Sequence, residues 1–262
     1  MNERGRTTPW RSWPQSAPVA AFFLLTFLFS WAVWGLAPVL LPGAGRGLRM
    51  AIHTVGLCGP SVAALVMSAL LYGRQGVIGL LKQITRWRVG VGWYLFALFS
   101  TLAVGLAAIG THSLLGAATP PLNLNIVPAL LPLPAGLPEE YGWRGFALPH
   151  LLKKRGALVA SLIIAVFWML WHIPISPMLK HLPFMGLFLL EVIPLTVFFS
   201  WLYINSGSIL LVVLYHLAYN IVVNVLNIPA STPLWAVYVG INWLLAAVII
   251  IRCGAARLKC AG

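Results

Sequence analysis

Long apolar segments recur along this chain, and polar residues are concentrated between them. A helix that crosses the roughly 30 Å hydrocarbon core of a bilayer needs about 20 apolar residues. By this criterion the sequence predicts about eight transmembrane helices, at roughly 18–41, 50–72, 91–114, 127–152, 157–177, 183–204, 207–227 and 234–252. The expected fold is therefore an all-α, polytopic membrane protein.

The composition supports this prediction and excludes an ordinary soluble protein. Of the 262 residues, 60% are hydrophobic and only 8% are charged, whereas soluble domains carry about 25% charged residues. The three cysteines (Cys58, Cys253 and Cys260) are too few for a disulfide scaffold, and we expect them to be free thiols. The net charge of +13 is a feature of nucleic-acid-binding proteins, but basic cytoplasmic loops explain it better. We therefore expect a lipid bilayer as partner and no nucleic acid.

The distribution of basic residues over the predicted loops gives an orientation. With the N-terminus inside, thirteen Lys and Arg are cytoplasmic and three, Arg46, Arg49 and Lys180, are outside. The positive-inside rule then predicts that both termini are cytoplasmic. We expect a basic N-terminal segment (1–17), one transmembrane domain (18–252, with its core at about 55–228) and a C-terminal tail (253–262). The expected location is a bacterial inner membrane.

Two of the four acidic residues lie side by side within the fourth predicted span, as Glu139 and Glu140. Charged groups inside a membrane are costly and indicate either a packing contact or a functional site. Glu140 and Arg144 are four residues apart and can pair along one helix face, whereas Glu139 points elsewhere. A carboxylate without a cationic partner can accept a proton from water, so Glu139 is a candidate general base. Glu191, in the sixth predicted span, has no predicted partner.

Two further polar groups lie in predicted spans. His172 ends the fifth span, where an interfacial histidine among Trp residues is an equally good interpretation. In the seventh span His216, Asn220, Asn224 and Asn227 form a stripe on one helix face, which favours a water-lined cleft over hydrogen bonds between helices. At about 1.5 Å per residue, Glu139, His172 and His216 can reach one depth in the membrane.

These three groups together resemble the motifs of the CAAX protease and bacteriocin-processing (CPBP, or Abi) family of intramembrane proteases. The family pattern is EExxxR, FxxxH and HxxxN on three separate helices. The matching residues here are Glu139, Glu140 and Arg144, then Trp168 and His172, then His216 and Asn220. Trp168 replaces the usual Phe, and we expect this change to affect packing.

The resemblance implies peptide-bond hydrolysis within the membrane. It implies that Glu139 and His172 activate water, that His216 and Asn220 stabilise the oxyanion, and that Glu140 and Arg144 support them. A glutamate mechanism needs no cofactor, but two histidines and a glutamate also form a recognised zinc-binding set, so Glu139, His172 and His216 are candidate zinc ligands. The sequence leaves both mechanisms open.

The primary hypothesis is an intramembrane endopeptidase that acts on a membrane-associated peptide or protein. The alternative is a non-catalytic membrane protein, an immunity factor or scaffold, that binds a peptide in the polar cleft. The two differ in whether the protein cleaves the peptide that it binds.

Overall fold

The computed structural model describes residues 16–124, 133–175 and 182–260. Within these ranges all regular elements are helices, so the predicted all-α fold is confirmed. The α-helices are α1 (Pro18–Leu40), α2 (Arg46–Leu57), α3 (Gly59–Leu81), α4 (Val91–Leu114), α5 (Leu133–Gly142), α6 (Leu148–Leu152), α7 (Ala157–Trp171), α8 (Leu182–Ser206), α9 (Ile209–Val225) and α10 (Thr232–Cys253). Three short helical turns complete the fold: a 3-10 turn after α3 (Lys82–Thr85), a π-helical turn after α5 (Trp143–Ala147) and a 3-10 turn after α9 (Ile228–Ala230).

Five helical segments in the described residues are long and apolar enough to cross a membrane. They are Pro18–Leu40, Arg46–Thr85, Val91–Leu114, Phe184–Ser206 and Thr232–Cys253. Helices α7 and α9 are apolar but shorter, with 15 and 17 residues. The molecule is therefore a polytopic membrane protein, while the number of eight spans and the orientation stay predictions. Most of the predicted N-terminal segment 1–17, including its three arginines, lies outside the described residues.

The fourth predicted span, 127–152, is not one regular helix. Residues 125–132 lie outside the described part of the chain, and the remainder is divided into α5, the π-helical turn and α6. Pro149 explains part of the division, because it has no amide hydrogen to donate to the carbonyl of Gly145. That carbonyl instead accepts a hydrogen bond of 3.2 Å from the Gln83 side chain. A π-helical turn is often found at a functional site, and this one contains Arg144.

Helix α5 crosses α3 at close range. At Gly142 a side chain would collide with Pro60, near the start of α3. Glycine at this position therefore allows the two helix backbones to approach, as small residues do at helix contacts in membranes. The contact places the Glu139–Glu140 pair in the interior of the bundle, where both residues are buried.

The C-terminal segment packs against the bundle instead of extending from it. The carbonyls of Ala255 and Ala256 accept hydrogen bonds from the amides of Leu158 and Ala157, which lie in the first turn of α7 and need partners from outside the helix. Cys253 and Cys260 form a disulfide, so the prediction of free thiols is wrong for this pair. The chain reverses at Gly254, where φ is 76°, and this turn brings the two cysteines together. Cys58 is free.

Candidate active site

Helix α5 buries the two adjacent carboxyl groups of Glu139 and Glu140, which are 3% and 0% exposed. Consecutive residues of a helix point about 100° apart, so the two side chains enter different surroundings. Their contacts differ in kind. Glu140 contacts the ionisable side chains of Arg144 and His216, whereas Glu139 contacts the indole N–H of Trp168.

Arg144 is the cationic partner of Glu140, as the sequence predicts. Its Nη1 atom lies 3.1 and 3.0 Å from the two carboxylate oxygens, and both side chains are fully buried. The guanidinium carbon also lies 4.4 Å from the ring centre of Phe199. A buried ion pair of this kind needs further polar contacts to offset the loss of hydration.

His216 supplies one of those contacts. Its Nδ1 lies 2.9 Å from Oε1 of Glu140. A carboxylate only accepts hydrogen bonds, so Nδ1 carries the hydrogen and Nε2 remains available for other chemistry. The sequence did not predict this contact, because 76 residues separate the two partners and helical spacing relates only residues within one helix.

Glu139 is held by Trp168, whose indole N–H donates to Oε2 over 2.8 Å. Trp168 therefore does more than pack against its neighbours, because phenylalanine has no donor to offer at this position. A carboxylate has about four lone-pair sites, so one hydrogen bond leaves acceptor positions for water. Arg144 is not a hydrogen-bond partner of Glu139 among the described residues.

His172 follows the last residue of α7, and its Nδ1 lies 2.7 Å from the backbone oxygen of Trp168. Because a carbonyl only accepts hydrogen bonds, Nδ1 again carries the hydrogen. The ring stands edge-on to Trp168 and Phe188, with centres 5.4 and 5.6 Å apart. His172 and His216 thus have the same arrangement, with Nδ1 bound within the protein.

A cavity of about 420 Å³ brings most of these groups together. Its wall includes His172, His216 and Asn220. Asn224 and Asn227 line the same cavity, in agreement with the predicted polar stripe, although Asn227 lies just beyond the end of α9. Other lining residues are Trp168, Phe188, Glu191, Val192, Leu195, Tyr219, Val223, Pro229 and Trp235. Glu139 is not among the lining residues, and its contact with the cavity wall is through Trp168.

Glu191 is a further carboxyl group in this cavity, and the structure supplies the partners that the sequence did not. The Tyr219 hydroxyl donates to Oε1 over 2.7 Å, and the Trp235 indole donates to Oε2 over 2.6 Å. Tyr219 lies on α9 and Trp235 on α10, whereas Glu191 lies on α8. No sequence pattern relates these three helices, which is why the contacts were missed.

The three candidate zinc ligands, Glu139, His172 and His216, do not form one compact group in this structure. Among the described residues, no three His, Cys, Asp or Glu side chains lie close enough together to hold a metal ion. Zinc binding stays a prediction from the resemblance, and no step of the chemistry below depends on it.

Comparison with known proteins agrees with the motifs. A family model described as Type II CAAX prenyl endopeptidase Rce1-like matches residues 121–222. The chain is also 26% identical over 253 residues to "CAAX prenyl protease 2" of Methanococcus maripaludis, an alignment that covers 88% of this chain and 92% of that protein. These findings confirm the resemblance. The chain is thus similar to the CAAX proteases.

The CAAX protease match includes all seven motif residues, from Glu139 to Asn220. It also includes Glu191 and Tyr219, which the motifs do not name. Trp235 lies outside the matched range. The family supports a peptidase that works within a membrane, and the arrangement of the individual groups is the basis of the proposal that follows.

Proposed function

We propose that this protein is an intramembrane endopeptidase that hydrolyses a peptide bond of a membrane-associated peptide. The observation that carries the proposal is the convergence of the three motifs around Trp168. Its indole binds Glu139, its backbone oxygen binds His172, and its ring centre lies 5.8 Å from that of His216. Three motifs distant in sequence thus meet at the edge of one cavity.

Glu139 is the proposed general base. Oxygen positions that do not bind Trp168 accept a proton from a water molecule, and the water oxygen attacks the peptide carbonyl carbon. His172 helps to orient that water through Nε2. When the tetrahedral intermediate collapses, Glu139 returns the proton to the leaving nitrogen, which gives a carboxylic acid and an amine.

His216 and Asn220 are the proposed donors to the oxyanion. They lie one turn apart on α9, so both can face one oxygen atom. Glu140 carries the negative charge that an imidazolium needs nearby, so His216 can hold hydrogens on both ring nitrogens and donate from Nε2. Arg144 holds the Glu140 carboxylate in position. Removal of one such oxyanion donor typically costs about 10²–10³ in kcat.

The substrate class follows from the names of the matched family and the relative. Both contain the words CAAX and prenyl, and a CAAX sequence is a C-terminal motif whose cysteine carries a prenyl lipid. We therefore propose a prenylated C-terminal peptide as the first substrate to test. The prenyl group would anchor such a peptide in the bilayer that surrounds the bundle.

The proposed topology places both termini in the cytoplasm of a cell with a bacterial-type inner membrane. The supporting observation is the ratio of thirteen cytoplasmic to three external basic residues in the predicted loops. Green fluorescent protein fused after Gly262 is expected to fluoresce, and alkaline phosphatase fused there is expected to be inactive. The opposite pair of results would reverse the orientation.

Cleavage of a defined peptide tests the function. The full chain in lipid nanodiscs is mixed with a farnesylated peptide that carries a fluorophore and a quencher on opposite sides of the bond after the cysteine. We expect release of fluorescence, and its loss in Glu139→Gln, in which the side-chain carbonyl can still accept the Trp168 N–H. Activity that survives in Glu139→Gln but is lost with a chelator would replace the glutamate mechanism with a metal mechanism.

A further inference from the structure

Glu191 is the acidic residue in the described part of the chain that the three motifs leave without a role. It is 3% exposed and lies on the wall of the cavity that contains His172, His216 and Asn220. An ionisable side chain inside a membrane protein often marks the path or the binding site of a substrate. Because Glu191 lies on the wall of this cavity, a ligand that enters the cavity can contact it.

Helix α8 presents Glu191 on a well-supported turn. Phe188, Glu191 and Leu195 line the cavity at helical spacing. Pro194 lacks an amide hydrogen, so the carbonyl of Leu190 loses its usual partner four residues on. The Trp243 indole donates to that carbonyl over 2.7 Å. The turn that carries Glu191 is therefore fixed to α10 by a hydrogen bond of its own.

Both donors to Glu191 are neutral. Tyr219 and Trp235 each bind one carboxylate oxygen, and in the described ranges no Lys, Arg or His forms an ion pair with Glu191. These two hydrogen bonds use about half of the lone-pair sites of the carboxylate. Glu140 differs in this respect, because Arg144 supplies a full positive charge.

A buried carboxylate without a positive partner is costly, and the cost falls when a cation approaches it. A glutamine could satisfy both neighbours without the cost of a charge, because its oxygen could accept from the Trp235 indole while its NH2 group donates to the Tyr219 hydroxyl oxygen. These two contacts alone therefore do not explain an acid. The cavity is open to a ligand and is polar along α9, where Asn220 and Asn224 lie. A cationic group of a ligand in the cavity would balance the negative charge of Glu191.

We propose that Glu191 forms a second subsite of the cavity, which binds a positively charged group of the substrate, an ammonium or a guanidinium. Tyr219 and Trp235 hold the carboxylate in position for it. The subsite rests on the proposed function in one respect, because it assumes that the ligand is a peptide. It adds a preference for a basic residue near the scissile bond.

Paired peptides test the subsite. A set of fluorescent farnesylated peptides carries lysine at one position at a time, and each peptide has a partner with norleucine, which has a similar length and no charge. Binding of each peptide is measured by fluorescence polarisation with the full chain in nanodiscs. The chain carries the Glu139→Gln substitution so that it does not cleave the peptide. At one position we expect lysine to improve Kd by about tenfold, which corresponds to about 1.4 kcal/mol.

Variants at position 191 identify the group responsible. Glu191→Gln should remove the lysine preference, Glu191→Asp should keep it, and Glu191→Lys should favour a peptide with glutamate at that position. Lys154→Met, at an exposed position that does not line the cavity, is the control, and the lysine preference should remain in it. If Glu191→Gln prevents folding, Glu191→Lys tests the charge in its place, and an unchanged lysine preference in that variant would contradict the subsite.

Two results would overturn the subsite. One is equal binding of lysine and norleucine peptides at all positions, and the other is a lysine preference that Glu191→Gln leaves unchanged. Failure of the proposed function has a different signature. In that case the wild-type chain cleaves none of the peptides, while the Glu191-dependent binding preference is still measured. Cleavage without any lysine preference would retain the endopeptidase and reject the subsite.

Discussion

Glu140 and Glu191 are both buried carboxyl groups, and they differ in the charge of their partners. Glu140 contacts Arg144 and His216, whereas Glu191 contacts the neutral donors Tyr219 and Trp235. The charge of Glu140 is balanced within the protein, so this residue holds its neighbours in place. Among the described residues no Lys, Arg or His forms an ion pair with Glu191, and the proposed subsite for a cationic group rests on this difference. Burial therefore does not distinguish the two carboxyl groups, whereas the charge of their partners does.

The largest effect is expected when the charge balance at Glu140 is broken. Arg144→Met keeps much of the side-chain volume but leaves Glu140 without its full positive partner. Loss of one member of a buried ion pair costs about 3–5 kcal/mol, so we expect a much lower Tm and poor yield in detergent. Lys154→Met, at an exposed position, is the control and should leave both unchanged. A Tm close to wild type for Arg144→Met would show that the pair contributes little.

The next prediction separates the two adjacent glutamates. Glu139→Gln removes the proposed base, and we expect kcat to fall by about 10²–10⁴ with a Tm near that of wild type. Glu140→Gln removes the charge between Arg144 and His216, so it should lower Tm as well as kcat. The measurements are peptide cleavage and thermal unfolding of both variants. If Glu140→Gln lowered kcat with no change in Tm, the division of roles between the two residues would be wrong.

A smaller effect is expected at Glu191. Tyr219→Phe removes one hydrogen bond to a carboxylate, at a cost of about 1–3 kcal/mol, so its Tm should lie between those of wild type and Arg144→Met. Thermal unfolding of Tyr219→Phe and Arg144→Met in the same detergent makes the comparison. Equal decreases in Tm would mean that a neutral donor and an ionic partner contribute equally to the stability of the protein.

The smallest effect is expected for Trp168→Phe, which restores the usual residue of the family motif. The change removes the N–H that binds Glu139, and water entering the cavity can replace one hydrogen bond. We expect kcat to change by less than about tenfold, since a single hydrogen bond contributes about 1 kcal/mol. A larger decrease in kcat would show that the indole itself positions the base.

The sequence predicted the features that depend on one helix at a time. The apolar segments predicted the helices, and the four-residue spacing predicted the contact of Arg144 with Glu140. The spacing of His216 and Asn220 likewise predicted a polar face, which lines the cavity. Each of these features follows from the 3.6-residue period of a helix.

A single sequence does not predict which side chains of different helices come into contact. The contact of His216 with Glu140 joins α9 to α5, and the partners of Glu191 lie on two other helices. The bond from Trp168 to Glu139 was also missed, because Trp was compared with Phe as an aromatic ring and not as a donor. Pro149 explains part of the division of the fourth predicted span, because the carbonyl of Gly145 loses its usual amide partner.

The length of α7 has a consequence for the supply of water. With 15 residues, this helix is about 22 Å long, shorter than the roughly 30 Å of hydrocarbon in a typical bilayer. A short segment is accommodated when the lipid around it thins or when polar groups at its end become hydrated. His172 follows directly at that end, beside the polar wall of the cavity. A hydrophobic mismatch at α7 would therefore bring the aqueous phase closest to the residues that need water as a reactant.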